Sequence, residues 1–155
     1  MKTYKYYLFI LPFLFLSLSG YSRNDLKINQ IFEDIGKKQG TYVKLGRDVL
    51  SPHTNIVQYQ SLRVCVDADL LKIIDQAVEE DTRFAEVVFS SSRKGEESRI
   101  VHYALTHDED ALLQEYILFN YKDGYVNLVY LRGNFPSKEL KKELKKLRNL
   151  FIDLK

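Results

Sequence analysis

Apolar and polar positions recur along this chain with two periods, and the changes of period mark out its elements. Leu26, Ile28, Ile31, Phe32 and Ile35 repeat at helical spacing. Asn24-Asp25 stands ahead of them as an N-cap and Gly40 behind them as a stop. The run TYVKL (41–45) reads as a short strand. Residues 46–55 carry loop formers, Ser51-Pro52 among them, with Val49-Leu50 expected to tuck inward. A longer strand follows over 56–66. Leu62, Val64 and Val66 fall on one of its faces and Val57 and Tyr59 on the other, which predicts a bulge or burial on both sides.

Asp67 opens a second helix, with Leu71, Ile74 and Val78 on its buried side. The acids Glu79-Glu80-Asp81 are unfavourable at a helix C-terminus, so the helix is expected to stop there. Residues 85–89 read as a strand, polar 90–98 as an exposed turn around Gly95, and 100–106 as the partner strand. The strongest hairpin signal is Asp123-Gly124 within YILFNYKDGYVNLVYL, because both central positions of a two-residue turn need positive φ. A turn there sets Tyr121, Phe119 and Ile117 opposite Val126, Leu128 and Tyr130, a continuous apolar face that needs a cover. In the final segment, PSKELKKELKKLRNLFIDLK, Ser137 is the expected N-cap. Leu140, Leu144, Leu147, Phe151 and Leu154 form one helical stripe, the natural cover for the preceding sheet face.

The predicted order is α-β-β-α-β-β-β-β-α. Short connections and hairpins make it an α+β domain with an antiparallel-dominated sheet of about five to six strands packed against helices.

The N-terminus changes where this domain is expected to work. A basic start is followed by an apolar run over 6–18, then by Gly20 and Ser22 at the spacing of a cleavage site. A membrane span needs about 20 apolar residues; this run is shorter and contains Pro12. Residues 1–22 are therefore read as a signal peptide and 23–155 as one α+β domain, an uncleaved anchor being the alternative. No cysteine lies near the cut, so a lipoprotein is not expected. Of the 23 basic residues, Lys2 and Lys5 leave with the signal, so 21 bases face 21 acids in the remainder. A balanced domain exerts no general pull on a polyanion, and nucleic acid is not an expected partner.

Candidate chemistry is sparse. Cys65 is the single cysteine, set in an apolar run, and is expected to behave as a small buried hydrophobe. An intermolecular disulfide is the alternative. His53, His102 and His107, with Asp108-Glu109-Asp110, are the residues a metal would draw on, but they lack ligand spacing and no metal site is assigned. Ser90, Ser91 and Ser92 have no visible base. No nucleophile elbow, phosphate loop or zinc-protease motif is present, so no catalytic residue and no cofactor are assigned. Lys138, Lys141, Lys142, Lys145, Lys146 and Arg148 surround the final leucine stripe. They read as a solvated face with Glu139–Lys142 and Glu143–Lys146 pairs; contact with anionic lipid is the lesser alternative, because the stripe is already needed by the sheet. Tyr42, Tyr59, Tyr103, Tyr116, Tyr121, Tyr125 and Tyr130 read first as strand formers and second as a surface for sugars or protein edges.

The runs IFEDIGKKQGTYVKLGRDVLS, VQYQSLRV and GYVNLVYLRGNF resemble a group of small exported Gram-negative bacterial proteins that form a domain-of-unknown-function family. Gly40, Val43 and Gly133 stand where that pattern places them. The resemblance implies an α+β fold and envelope localisation, and it carries no catalytic residues. The expected function is that of an exported, periplasmic or secreted, non-enzymatic domain binding a protein or glycan partner in the cell envelope. Membrane contact is not expected after cleavage. The alternative is a small periplasmic hydrolase-like enzyme whose site is assembled only by folding.

Overall fold

The computed structural model describes residues 25–93, 95, 97–105 and 112–153. The signal-peptide reading of residues 1–22 lies outside them, as do His107, the Asp108-Glu109-Asp110 run and Leu154. Six strands form one antiparallel sheet: β1 (Thr41–Leu45), β2 (Ile56–Cys65), β3 (Glu86–Arg93), β4 (Ser98–Ala104), β5 (Gln114–Lys122) and β6 (Tyr125–Gly133), in the order β1-β2-β6-β5-β4-β3. The helices are α1 (Lys27–Asp34), a single turn α2 (Arg47–Leu50), α3 (Ala68–Asp81) and α4 (Leu140–Asp153), the last preceded by a 3₁₀ turn at Ser137–Glu139. This is the α+β architecture expected, with one short helix added where a loop is predicted. Within that segment Leu50 is buried as expected, but Val49 is exposed.

The Asp123-Gly124 turn forms with φ of 53° and 78°, and the register across it is the expected one: Phe119 opposite Leu128, and Ile117 opposite Tyr130. The face those residues share is covered, but not by the terminal helix. Helices α1 and α3 lie on it, burying Ile28, Ile31, Phe32, Ile74 and Val78 against Leu62, Val64, Phe119 and Leu128. Helix α4 packs on the opposite face, where Leu140, Leu147 and Leu150 meet Tyr59, Tyr116, Leu118 and Leu131. The reason lies in strand alternation. In β5 and β6 both faces are apolar, so the sheet needs helices on both sides.

The rows of side chains across the sheet explain where each cover sits. On the α1/α3 face, the row Tyr42–Leu62–Leu128–Phe119–Val101 is apolar except for a tyrosine hydroxyl. Two rows along, Gln58–Arg132–Glu115 is polar throughout. On the α4 face the gradient is reversed. Tyr59–Leu131–Tyr116–Ala104 is buried, whereas Arg63–Asn127–Asn120–Ile100 and Cys65–Tyr125–Lys122 lie towards the hairpin turn. Each face is thus apolar at one end and polar at the other, and the two ends are swapped between the faces.

Strand β3 runs on through Ser90, Ser91 and Ser92 to Arg93, paired with β4, so the exposed turn is shorter than expected. A register shift between Val87 and Phe89 turns Phe89 towards His102, their rings 5.3 Å apart. The bulge expected in β2 sits at its start, between Ile56 and Gln58. Ser137 does not cap α4, since it lies within the 3₁₀ turn entered from Pro136. Asn24 lies outside the described residues, and Asp25 is not the cap residue of α1 either; Leu26 is, and its side chain accepts no backbone N–H. The cap comes from Asp81 at the far end of α3, whose carboxylate accepts the backbone N–H groups of Lys27 (2.8 Å) and Ile28 (2.9 Å). An acid unfavourable for its own helix end serves the positive end of its neighbour.

Gly40 makes the turn into β1 with φ of 82°, and a Cβ there would stand 2.4 Å from the Arg63 carbonyl oxygen. Only a residue without a side chain allows β1 to approach β2 in this way.

Candidate binding cleft

The polar end of the α1/α3 face is not filled by helix side chains. It opens as a cleft of about 250 Å³, lined by Asn29, Phe32 and Glu33 of α1 and by Tyr42, Lys44, Gln58, Gln60, Tyr130 and Arg132 of the sheet. Its floor follows from register: Lys44 pairs with Gln60, Gln60 with Tyr130, and Gln58 with Arg132. Because alternate residues share a face, Tyr42 and Lys44 point the same way from β1, as do Gln58 and Gln60 from β2 and Tyr130 and Arg132 from β6. Helix α1, held at its N-terminus by Asp81, supplies the wall.

Gln60 is 7% exposed, a buried amide in the cleft floor. The Tyr130 hydroxyl donates to Glu115 Oε1 at 2.6 Å, and both residues are buried. That bond fixes the Tyr130 ring as part of the floor. Burial pushes the Tyr42 hydroxyl above its ordinary pKa, with the nearby Glu33 charge adding to the effect, so it stays a neutral donor at physiological pH. Glu33 forms a salt bridge with Lys37, in the turn that follows α1, and the hydrogen bond and charge of that lysine hold its carboxyl low. Lys44 is exposed and Arg132 half-buried, and neither forms a salt bridge among the described residues. The cleft thus combines two cations, three amides, two tyrosines and one acid already engaged by a lysine.

The other residues singled out in the sequence are not drawn into this site. Cys65 is exposed, not buried; it follows the inward-facing Val64 on the open end of the α4 face. His102 is half-buried beside Phe89, and burial lowers its pKa. His53 lies exposed in the loop after α2. Among the described residues no group of three histidine, cysteine or acidic side chains is placed to hold a metal ion. Tyr59 packs on Phe151, and Tyr116 stacks on Phe135 while donating to its carbonyl oxygen at 2.9 Å, its pKa pushed up to about 12 by burial. Tyr125 is exposed at the hairpin end, with the Arg63 guanidinium 4.9 Å from its ring centre. Most of the tyrosines are therefore parts of the core or its margin, while Tyr42 and Tyr130 are brought together in the cleft. Their even numbering within separate strands gave no hint of this; the pairing β1-β2-β6 creates it.

Two other surfaces were candidates for a site. A wider groove of about 500 Å³ between α1 and α3 is lined by Ile31, Ile35, Leu70 and Ile73 together with charged residues of both helices. The open end of the α4 face carries Arg63, Cys65 and Tyr125, and there Asn120 Oδ1 is buried without a hydrogen-bond partner among the described residues. Neither gathers as many converging polar groups as the cleft.

The model of a family of unknown function, DUF6108, matches residues 15–144. The chain belongs to that family. The DUF6108 match spans every strand and reaches into α4, so the cleft lies wholly within it. No curated protein matches the chain. No described helix is long and apolar enough to cross a membrane.

Proposed function

We propose that this DUF6108 domain is exported to the cell envelope of a Gram-negative bacterium and acts there by binding a protein or glycan partner, without catalysis. The signal-like N-terminus motivates the address. The observation that carries the binding role is the cleft, where aromatic, amide and cationic side chains converge on a rigid sheet floor. General acid–base catalysis needs two groups tuned and brought within reach of one another and a substrate. In the cleft, Glu33 is committed to Lys37 just past the end of α1, and the nearby Glu115 accepts the Tyr130 hydroxyl. That arrangement suits holding a ligand better than cycling a proton.

The basic helix plays a structural part in this reading. Leu140, Leu147 and Leu150 are committed to the sheet, leaving Lys141, Lys142 and Lys145 as its solvated side. Two measurements test the proposal. Fractionation of cells should place a shortened chain in the soluble envelope fraction; full-length chain in the cytoplasm contradicts the address. Immobilised protein should retain an envelope component; retention of nothing, together with hydrolytic turnover of envelope substrates, contradicts the binding role.

A further inference from the structure

We infer that the cleft binds a single acidic sugar residue, a hexuronic-acid-type ring whose carboxylate lies between Lys44 and Arg132. This rests on the binding role proposed above and names its ligand class. The charge of the lining motivates the anion. Lys44 and Arg132 face the single lining acid Glu33, an excess of one positive charge, and Glu33 is itself engaged by Lys37. One carboxylate would match it. Arginine and lysine on neighbouring rows can share such a group, the guanidinium through paired N–H donors.

The remaining lining points to a hydroxylated ring over a bare anion. Gln58 and Gln60 each offer both a donor and an acceptor, which suits hydroxyl groups that themselves donate and accept. A phosphate-type ion would leave the acceptor oxygens of these amides unmatched. Tyr42, its ring centre 5.8 Å from that of Phe32, supplies an apolar surface at the cleft edge for the C–H face of a sugar. At about 250 Å³ the cleft is smaller than the usual drug-sized pocket, a space for one ring and not an oligosaccharide. A chain of sugars would therefore be gripped by one residue at a time, most simply at an end.

Isothermal titration of the mature chain with methyl β-D-glucuronide, methyl β-D-glucoside and inorganic phosphate tests this. The glucuronide should bind, with the uncharged glucoside and the phosphate each at least about tenfold weaker. Lys44→Gln and Arg132→Gln should each weaken the glucuronide about tenfold and leave the glucoside unchanged. Lys44 is exposed, so its variant keeps the fold even if the Arg132 variant does not. Equal affinity for glucuronide and glucoside, phosphate binding as tight as glucuronide, or no response to Lys44→Gln would overturn the assignment. Failure to bind glucuronide while still retaining an envelope component overturns the sugar and leaves the binding role standing. Loss of that retention after protease treatment of the extract identifies a protein partner and likewise overturns the sugar.

Discussion

Glu143 is one of 21 acidic residues, and nothing in its spacing separates it from the exposed acids of a solvated helix. In the fold it is 1% exposed, facing the sheet with Leu140, Leu147 and Leu150. Its carboxylate accepts the Asn55 backbone N–H (2.9 Å), the Asn55 side-chain amide (3.0 Å) and the Lys146 ammonium (2.9 Å). The Asn55 carbonyl oxygen in turn accepts the Asn134 N–H at 3.0 Å. A carboxylate therefore ties α4 to the start of β2 and the end of β6. Burial alone would raise its pKa, but the Asn55 N–H, the Lys146 ammonium and the Asn55 amide together outweigh burial and hold it below the ordinary 4.5. A depressed folded value means stability that is fully present above pH 4.5 and lost as pH falls through the lower folded value. Acid titration of the melting temperature should show this loss, and Glu143→Gln should flatten it. Glu143→Ala should cost about 2 kcal/mol in chemical denaturation, because it leaves the Asn55 N–H and amide without their acceptor. Lys146→Met should cost less than about 1 kcal/mol, its lysine being partly exposed. Cys65 makes the complementary case. Exposed on the folded surface, it should react with a thiol reagent under native conditions as fast as in denaturant. Protection of the native thiol would contradict its placement.

At the scale of elements, periodicity found the strands and the long helices because burial imposes it directly. The Asp123-Gly124 turn was legible for a local reason, since its backbone chemistry does not depend on the rest of the fold. Which helix covers which face was not legible. The leucine stripe of α4 announced an apolar partner but could not choose between two apolar faces of β5, one carrying Ile117 and Phe119 and the other Tyr116 and Leu118. The α1 cap was hidden for the same reason, since Asp81 is 54 positions from Lys27 in sequence. Asp81→Ala should remove that cap at a cost of about 1 kcal/mol and speed hydrogen exchange at the Lys27 and Ile28 amides. Unchanged exchange there would show that α1 is held by its apolar face alone. As α1 walls the cleft, the same variant should also weaken any ligand held against Asn29.

For the whole molecule, the two faces of the sheet are apolar at opposite ends and polar at the others. One of those ends becomes the cleft because α1 overhangs it; the other stays an open surface around Arg63 and Tyr125. Single residues such as Gln60 and Arg132 looked like ordinary polar strand positions, and only the sheet order sets them beside Lys44. The ligand proposed for the DUF6108 domain is an acidic sugar ring held in this cleft. The most direct measurement is the backbone amide spectrum of the labelled protein, recorded as methyl β-D-glucuronide is added. Progressive, saturable shifts should concentrate at Asn29, Lys44, Gln58, Gln60 and Arg132. Shifts confined to Arg63, Asn120 and Tyr125, or no shift at any concentration, would contradict it.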